Sequence, residues 1–276
     1  MTHTMHPTGL SLSGGGAKGM VQLGILQYFD EHKVQFDVVS GTSIGSIIGA
    51  FYCAGIRPYH IYEFFLETSL FDYKLIGFNK AGLINSQRLA PVLEEALPVK
   101  TFEELQRPLR AVACDLKSGK PHIFREGPLV LPLLASSAFP GVFSPVPYQD
   151  MLLSDGGILN NFPANIIRGE CRHLTGIHLK PINRIESDEA FSNMLDVMIR
   201  AYELLISAGA RRNAKLCDLM LSPQELAGAR TFNVKNEELE SLYELGYQFA
   251  CRYFEKSPEE LEELKKLSCP KNHSTP

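Results

Sequence analysis

Over the first part of the chain, apolar residues fall in short runs broken by glycine or polar turns; over the last part they recur at helical spacing. Thr8 to Ser13 reads as a short strand running into Gly14-Gly15-Gly16. Met20, Leu23, Ile25, Leu26 and Phe29 then give a helix from about Ala17 to His32 its apolar surface. Val34 to Ser40 reads as a buried strand, and Ile44 to Ala54 as a strongly apolar helix that stops at Gly55. This order of strand, helix, strand and helix predicts a parallel α/β architecture.

Gln87 to Leu97 looks helical, and Leu109 to Leu116 reads as a further strand. Leu133 to Ala138 and Met151 to Leu153 are short apolar stretches on either side of a proline-rich turn region. The later chain is mainly helical, over Phe191 to Ala210 and Asn236 to Phe254. Ser257-Pro258-Glu259-Glu260 starts a last helix with proline just inside it. With no repeat, low-complexity block or long linker, the chain reads as one domain: a motif-bearing core over about 8–180, a helical part over about 185–267, and a disordered tail over 268–276.

Composition narrows the field modestly. The 276 residues are 45% hydrophobic, enough for a sizeable core, and carry 27 basic against 31 acidic residues. A net charge of -4 argues against a general nucleic-acid binder. Six cysteines, at 53, 114, 171, 217, 251 and 269, form no C-x-x-C pair or zinc-like spacing, so reduced thiols and a cytoplasmic location are expected. Met1 to Pro7 carries no signal-peptide pattern, and no window approaches the roughly 20 apolar residues of a membrane span.

Candidate chemistry lies at the ends of the predicted strands. Gly41-Thr42-Ser43-Ile44-Gly45 is a G-x-S-x-G element between a buried strand and a helix, the setting of a nucleophile elbow. In so tight a turn, flanking glycines avoid clashes and the serine hydroxyl is thrust above the sheet edge. The plainer reading makes Ser43 a helix N-cap. Gly14-Gly15-Gly16-Ala17-Lys18-Gly19 also follows a strand and opens a helix. Its glycines leave N–H groups unobstructed, as the oxyanion of an acyl-transfer intermediate requires. Lys18 either adds positive charge there or, more plainly, is a solvated residue of the first helical turn. Ser154-Asp155-Gly156-Gly157 follows the apolar run Met151-Leu152-Leu153 and by itself signals only a turn.

Together these elements resemble the patatin-like phospholipase family, which is marked by a glycine loop with a basic residue, a G-x-S-x-G elbow and a D-G-G/A turn in this order. A fourth family stretch is similar to Ala135-Ser136-Ser137-Ala138-Phe139-Pro140-Gly141-Val142-Phe143, so the resemblance runs from about Gly9 to Asn165. It implies a three-layer α/β/α fold with a mainly parallel central sheet and a Ser43–Asp155 dyad without histidine. Gly14, Gly15 and Gly16 would supply the oxyanion hole, with Lys18, Gly19, Gly41, Gly45, Gly156 and Gly157 in support. A lipid or other acyl ester would be the substrate, met by transient association with a membrane surface. No metal or cofactor is implied.

In such a dyad Asp155 takes the Ser43 proton directly, and desolvation would strengthen this otherwise poor base. A Ser–His–Asp triad would be permitted by chain order, since His173 and His178 both follow Asp155. His173, however, looks like a loop residue, and His178 like a satisfied strand histidine. Phe64, Phe65, Leu66, Phe71, Tyr73 and Phe78, within Ile61 to Phe78, read either as a lid or acyl-chain channel or as helix core. Two rivals remain. One is a lipid- or protein-binding module that keeps the fold without the activity. The other is a nucleotide-binding protein built on the same glycine loop, although no Lys-Ser/Thr pair follows the glycines, since Lys18 is followed by Gly19. Its dinucleotide form through Gly14, Gly16 and Gly19 is rejected, because the fingerprint asks for a carboxylate at the end of the second strand and Asp37 lies early in it.

Overall fold

The computed structural model describes residues 5–68, 85–179, 194–226, 229, 231–232 and 234–268. The strands are β1 (His6–Leu12), β2 (Val38–Thr42), β3 (Leu109–Asp115), β4 (Lys120–Phe124), β5 (Val146–Tyr148), β6 (Met151–Asp155), β7 (Cys171–Ile177) and β8 (Leu219–Leu221). They form one 8-stranded sheet whose hydrogen-bonded path runs β5-β6-β3-β2-β1-β7-β8, with β4 also on β3. β3, β2, β1, β7 and β8 are mutually parallel, while β4, β5 and β6 pair antiparallel.

Helices cover both faces. The larger apolar cluster joins Leu10 and Leu12 of β1 to α1 (Gly19–Glu31), α2 (Ile44–Cys53), α3 (Pro58–Thr68), α4 (Ala90–Ala96), α5 (Val130–Ser136), α9 (Asn236–Lys256) and α10 (Pro258–Ser268). A smaller cluster on Val38 and Leu174 lies under α7 (Ala164–Ile167) and Ala210 of α8 (Met194–Ala214). The short α6 (Gly157–Asn160) follows β6 directly. β1 from Thr8 onward and all of β2 are buried, so their polar side chains must find partners inside, as where the Ser40 hydroxyl donates to that of Ser11 at 3.2 Å.

The second strand lies further along the chain than its hydrophobic run suggests, at Val38–Thr42 rather than Val34–Ser40. Val34 and Phe36 are buried in the connection after α1. There the Val34 N–H donates to the Phe29 carbonyl and the Phe36 N–H to the Tyr52 hydroxyl, in place of a strand ladder. A buried loop therefore imitates a strand in sequence. Asp37 marks the true start: its carboxylate accepts both the N–H and the hydroxyl of Thr8, at 2.9 and 2.7 Å. That contact sits at the beginning of β1, away from the glycine loop beyond its other end, and removes the dinucleotide reading.

One register carries the functional consequence. β3 residues 109 to 112 pair with β2, and residues 113 to 115 pair with β6. β4 overlaps both stretches, so it must occupy the opposite edge of β3. β2 and β6 therefore meet end to end along one edge, with Thr42 opposite Val112 and Asp155 opposite Ala113.

Candidate active site

Ser43 leaves β2 in an unusual conformation, φ 55° and ψ -130°, before α2 begins at Ile44. A non-glycine residue adopts such angles only where its surroundings compel it. Here the compulsion is visible on both sides. A Cβ on Gly41 would lie 2.3 Å from the Gly45 carbonyl oxygen, and one on Gly45 would lie 2.5 Å from that of Leu12. The Ser43 N–H donates to Ser136 Oγ at 2.9 Å, and that hydroxyl donates to the Val112 carbonyl at 2.7 Å. Although Ser43 stands at the N-cap of α2, its side chain makes no capping bond, so the purely structural role fails.

Asp155, 2% exposed, ends β6 beside this turn. Its Oδ1 accepts the Gly157 N–H at 2.7 Å, and its own N–H donates to the Ala138 carbonyl. Gly156 passes so close to β3 that an added Cβ would lie 2.1 Å from the Val112 oxygen, and Gly157 is crowded by Asp155 itself. Ser43 and Asp155 line one small cavity of about 20 Å³ together with Gly15, Gly16, Phe139, Asn161 and residues of α8. No histidine lines it among the described residues. His173, expected in a loop, instead lies in β7 opposite Thr8. His178 follows that strand and packs edge-on against Phe162.

The glycine loop is divided in its commitments. The Gly14 N–H donates to the Asn161 carbonyl at 3.0 Å and the Ala17 N–H to that of Thr231 at 2.9 Å. Gly15 and Gly16 are the loop glycines that face the cavity. Gly16 takes φ +58°, and a Cβ there would meet the Thr231 oxygen at 2.3 Å. Gly19 packs against Ile44, joining the loop's helix to the elbow's.

Lys18 is not a solvated residue. It is buried, with its ammonium 3.2 Å from Glu203 of α8, which also accepts the Thr231 hydroxyl. The rest of the roof over the cavity is Tyr202, Ile206 and Phe232. The Tyr202 hydroxyl is buried with no hydrogen-bond partner among the described residues, and burial, followed by the Asp155 charge, pushes its pKa up, so it remains a donor. None of these roof residues belongs to a sequence motif. Ser136 does, but its role rests on contacts nearly a hundred residues away in sequence.

A second, apolar pocket of about 60 Å³ also reaches Ser43, lined by Ile44, Ile47, Phe65, Leu93, Leu134 and Phe143 among others. Phe65 is thus both helix core and pocket wall, while Phe64 packs on Phe51. Phe71, Tyr73 and Phe78 lie outside the described residues. The described cysteines, Cys53, Cys114, Cys171, Cys217 and Cys251, are all free thiols, and burial raises their pKa values. Among the described residues no three His, Cys, Asp or Glu side chains are grouped to hold a metal ion, and no helix is long and apolar enough to cross a membrane.

A sheet with helices on both faces, an elbow serine and a strand-end aspartate sharing a cavity define a class of α/β proteins built like acyl hydrolases. Within that class the chain belongs to the patatin-like phospholipase family, whose model it matches over residues 10–167. It is 28% identical over 212 residues to an uncharacterized NTE family protein of Mycobacterium tuberculosis, covering 74% of this chain and 59% of that one. It is also 29% identical over 173 residues to a patatin-like phospholipase domain-containing protein of Caenorhabditis elegans, covering 60% of this chain and 13% of that one. Among solved structures, VipD of Legionella pneumophila superposes with a TM-score of 0.55 at 16% identity, covering 90% of this chain and 67% of that one. The chain thus spans little more than half the length of the mycobacterial relative.

Proposed function

We propose that the protein is a lipid acyl hydrolase of the phospholipase A or lysophospholipase type, with Ser43 as nucleophile and Asp155 as its base. The observation that carries this reading is the shared cavity of Ser43 and Asp155, set end to end on β3 with no histidine in the described lining. Asp155 takes the Ser43 proton as Oγ attacks the ester carbonyl. The oxyanion is held by the Gly15 and Gly16 amides, with Gly14 left to brace the loop through Asn161. Collapse of the tetrahedral intermediate expels the alcohol, which recovers the proton from Asp155, and leaves an acyl-enzyme. Asp155 then deprotonates water as it attacks the acyl-enzyme, returns that proton to Ser43 Oγ as the second intermediate collapses, and the carboxylic acid departs. The apolar pocket beside Ser43 supports a fatty acyl chain as the acid portion.

Labelling with a fluorophosphonate probe tests the assignment. Wild-type protein is expected to react, and Ser43→Ala and Asp155→Asn are each expected to lose the label while keeping their circular dichroism. Labelling that survives Ser43→Ala would place the nucleophile elsewhere. An unreactive, folded wild type would favour a binding module that keeps the fold.

A further inference from the structure

The roof of the site has an outer face that the reaction does not use. Along α8, Met194, Val197, Met198, Ala201, Leu204 and Leu205 recur at helical spacing on one side, and all are exposed. Met194 and Leu205 are the extremes, at 78% and 75%. The opposite side of the same helix carries Tyr202, Glu203 and Ile206, which close the cavity over Ser43 and Asp155. Burial thus cannot explain the outer stripe, because the helix already buries its other face. At 1.5 Å per residue the apolar part extends about 17 Å, well short of a bilayer's thickness but suited to a helix lying in its surface.

Charge identifies the occupant. The stripe runs into Arg211, Arg212 and Lys215, all exposed at the C-terminal end of the helix and just beyond it. The side occupied by the stripe holds no carboxylate among its described residues. A two-fold interface between copies of this chain would set that face against itself, so the cations would meet either one another or the apolar Met194 end, with no described carboxylate of that side to answer them. A lipid surface meets both halves at once, with acyl chains for the apolar residues and phosphate groups for the cations.

We infer that the outer face of α8 is a docking surface for an anionic membrane. Docking there sets the roof of the cavity against the lipid that supplies the ester, so the site meets its substrate where its cover is held. The choice of lipid as substrate rests on the proposed hydrolase activity; the docking does not.

Co-sedimentation of the full chain with phosphatidylglycerol vesicles, compared with phosphatidylcholine vesicles, is the test. Wild-type protein is expected to bind the anionic vesicles and to be released by salt. A Met198→Glu/Leu205→Glu variant should bind at least about tenfold more weakly, and Arg211→Glu/Arg212→Glu should lose about fivefold per charge reversed. Because these side chains are exposed and none of them lines the cavity, both variants should hydrolyse a soluble short-chain ester as wild type does. Stripe-dependent binding without any ester hydrolysis by wild type would sink the hydrolase reading and leave the docking surface standing. Wild-type protein that ignores anionic vesicles would overturn the inference. So would variants that bind unchanged, or a wild-type dimer in sizing experiments that the stripe variant dissociates.

Discussion

The sheet-borne part of the site and its helical roof are held in different ways. Ser43, Asp155 and the glycine loop are fixed by strand register and backbone hydrogen bonds, with main-chain atoms packed so tightly that a single added methyl group meets a carbonyl. The roof is fixed mainly by side chains: beside one backbone bond, from the Ala17 N–H to the Thr231 carbonyl, an ion pair, a hydroxyl and a few aromatic rings join α8 and Thr231-Phe232 to the floor below. A backbone-built floor has one arrangement, whereas a side-chain latch can part and close again. The cavity beneath has room for little more than a water molecule, so the latch is the part that must give way to an ester.

Substitutions can break or sharpen that contrast. Gly45→Ala should cost the most, about 3 kcal/mol or more of unfolding free energy, because the new methyl group meets the Leu12 and Ser13 carbonyls. Urea denaturation measures it. Ser136→Ala comes next, at about 2 kcal/mol, since the Val112 carbonyl and the Ser43 N–H both lose their partner. Steady-state kinetics should then show kcat down about tenfold as the elbow loosens.

The roof should respond differently. Glu203→Gln leaves the buried Lys18 without its counter-charge and should lower stability by about 1 kcal/mol, while turnover of a soluble ester rises because the cover opens more often. A fall in turnover to match the stability loss would show that floor and roof act as one rigid unit.

A smaller effect belongs to Asp115 at the end of β3. The Ser118 hydroxyl, with the Lys117, Leu152 and Ser118 N–H groups, holds its carboxyl down to about 2. Since the folded value is depressed below the unfolded one of about 3.9, its contribution is complete above that pH and is lost as pH falls toward 2. The melting-temperature gap between wild type and Asp115→Asn should therefore be widest at neutral pH and shrink below pH ~4. Smallest of all, His173→Ala and His178→Ala should each stay within about threefold of wild-type kcat/KM. A loss of roughly 10^3-fold from either would restore a histidine triad.

The same contrast explains what could be read from sequence. The elbow and the glycine loop were legible because backbone crowding restricts residue type, and Gly16, Gly41 and Gly45 each face a carbonyl where a side chain would stand. Helix limits were legible to within a few residues, as at Ile44–Cys53 and Asn236–Lys256. β2 was misplaced because Val34 and Phe36 are buried in a loop, and hydrophobicity records burial rather than backbone conformation. Tyr202 and Glu203 left no local mark, and the glycine-loop motif marked Lys18 without its burial or its partner. A buried lysine looks like any surface lysine until its partner, 185 positions away, is brought beside it.

The end-to-end meeting of β2 and β6 has a consequence for how the fold tolerates change. Serine and aspartate lie more than a hundred positions apart in the chain, yet the strand ends that present them are set by a single step of β3, with Thr42 opposite Val112 and Asp155 opposite Ala113. That step is a fixed covalent length of about 3.8 Å. Segments inserted anywhere between the two residues can lengthen, shorten or be exchanged without altering it, provided β3 keeps its register. The strand works as a ruler, and the connections around it are free to diversify.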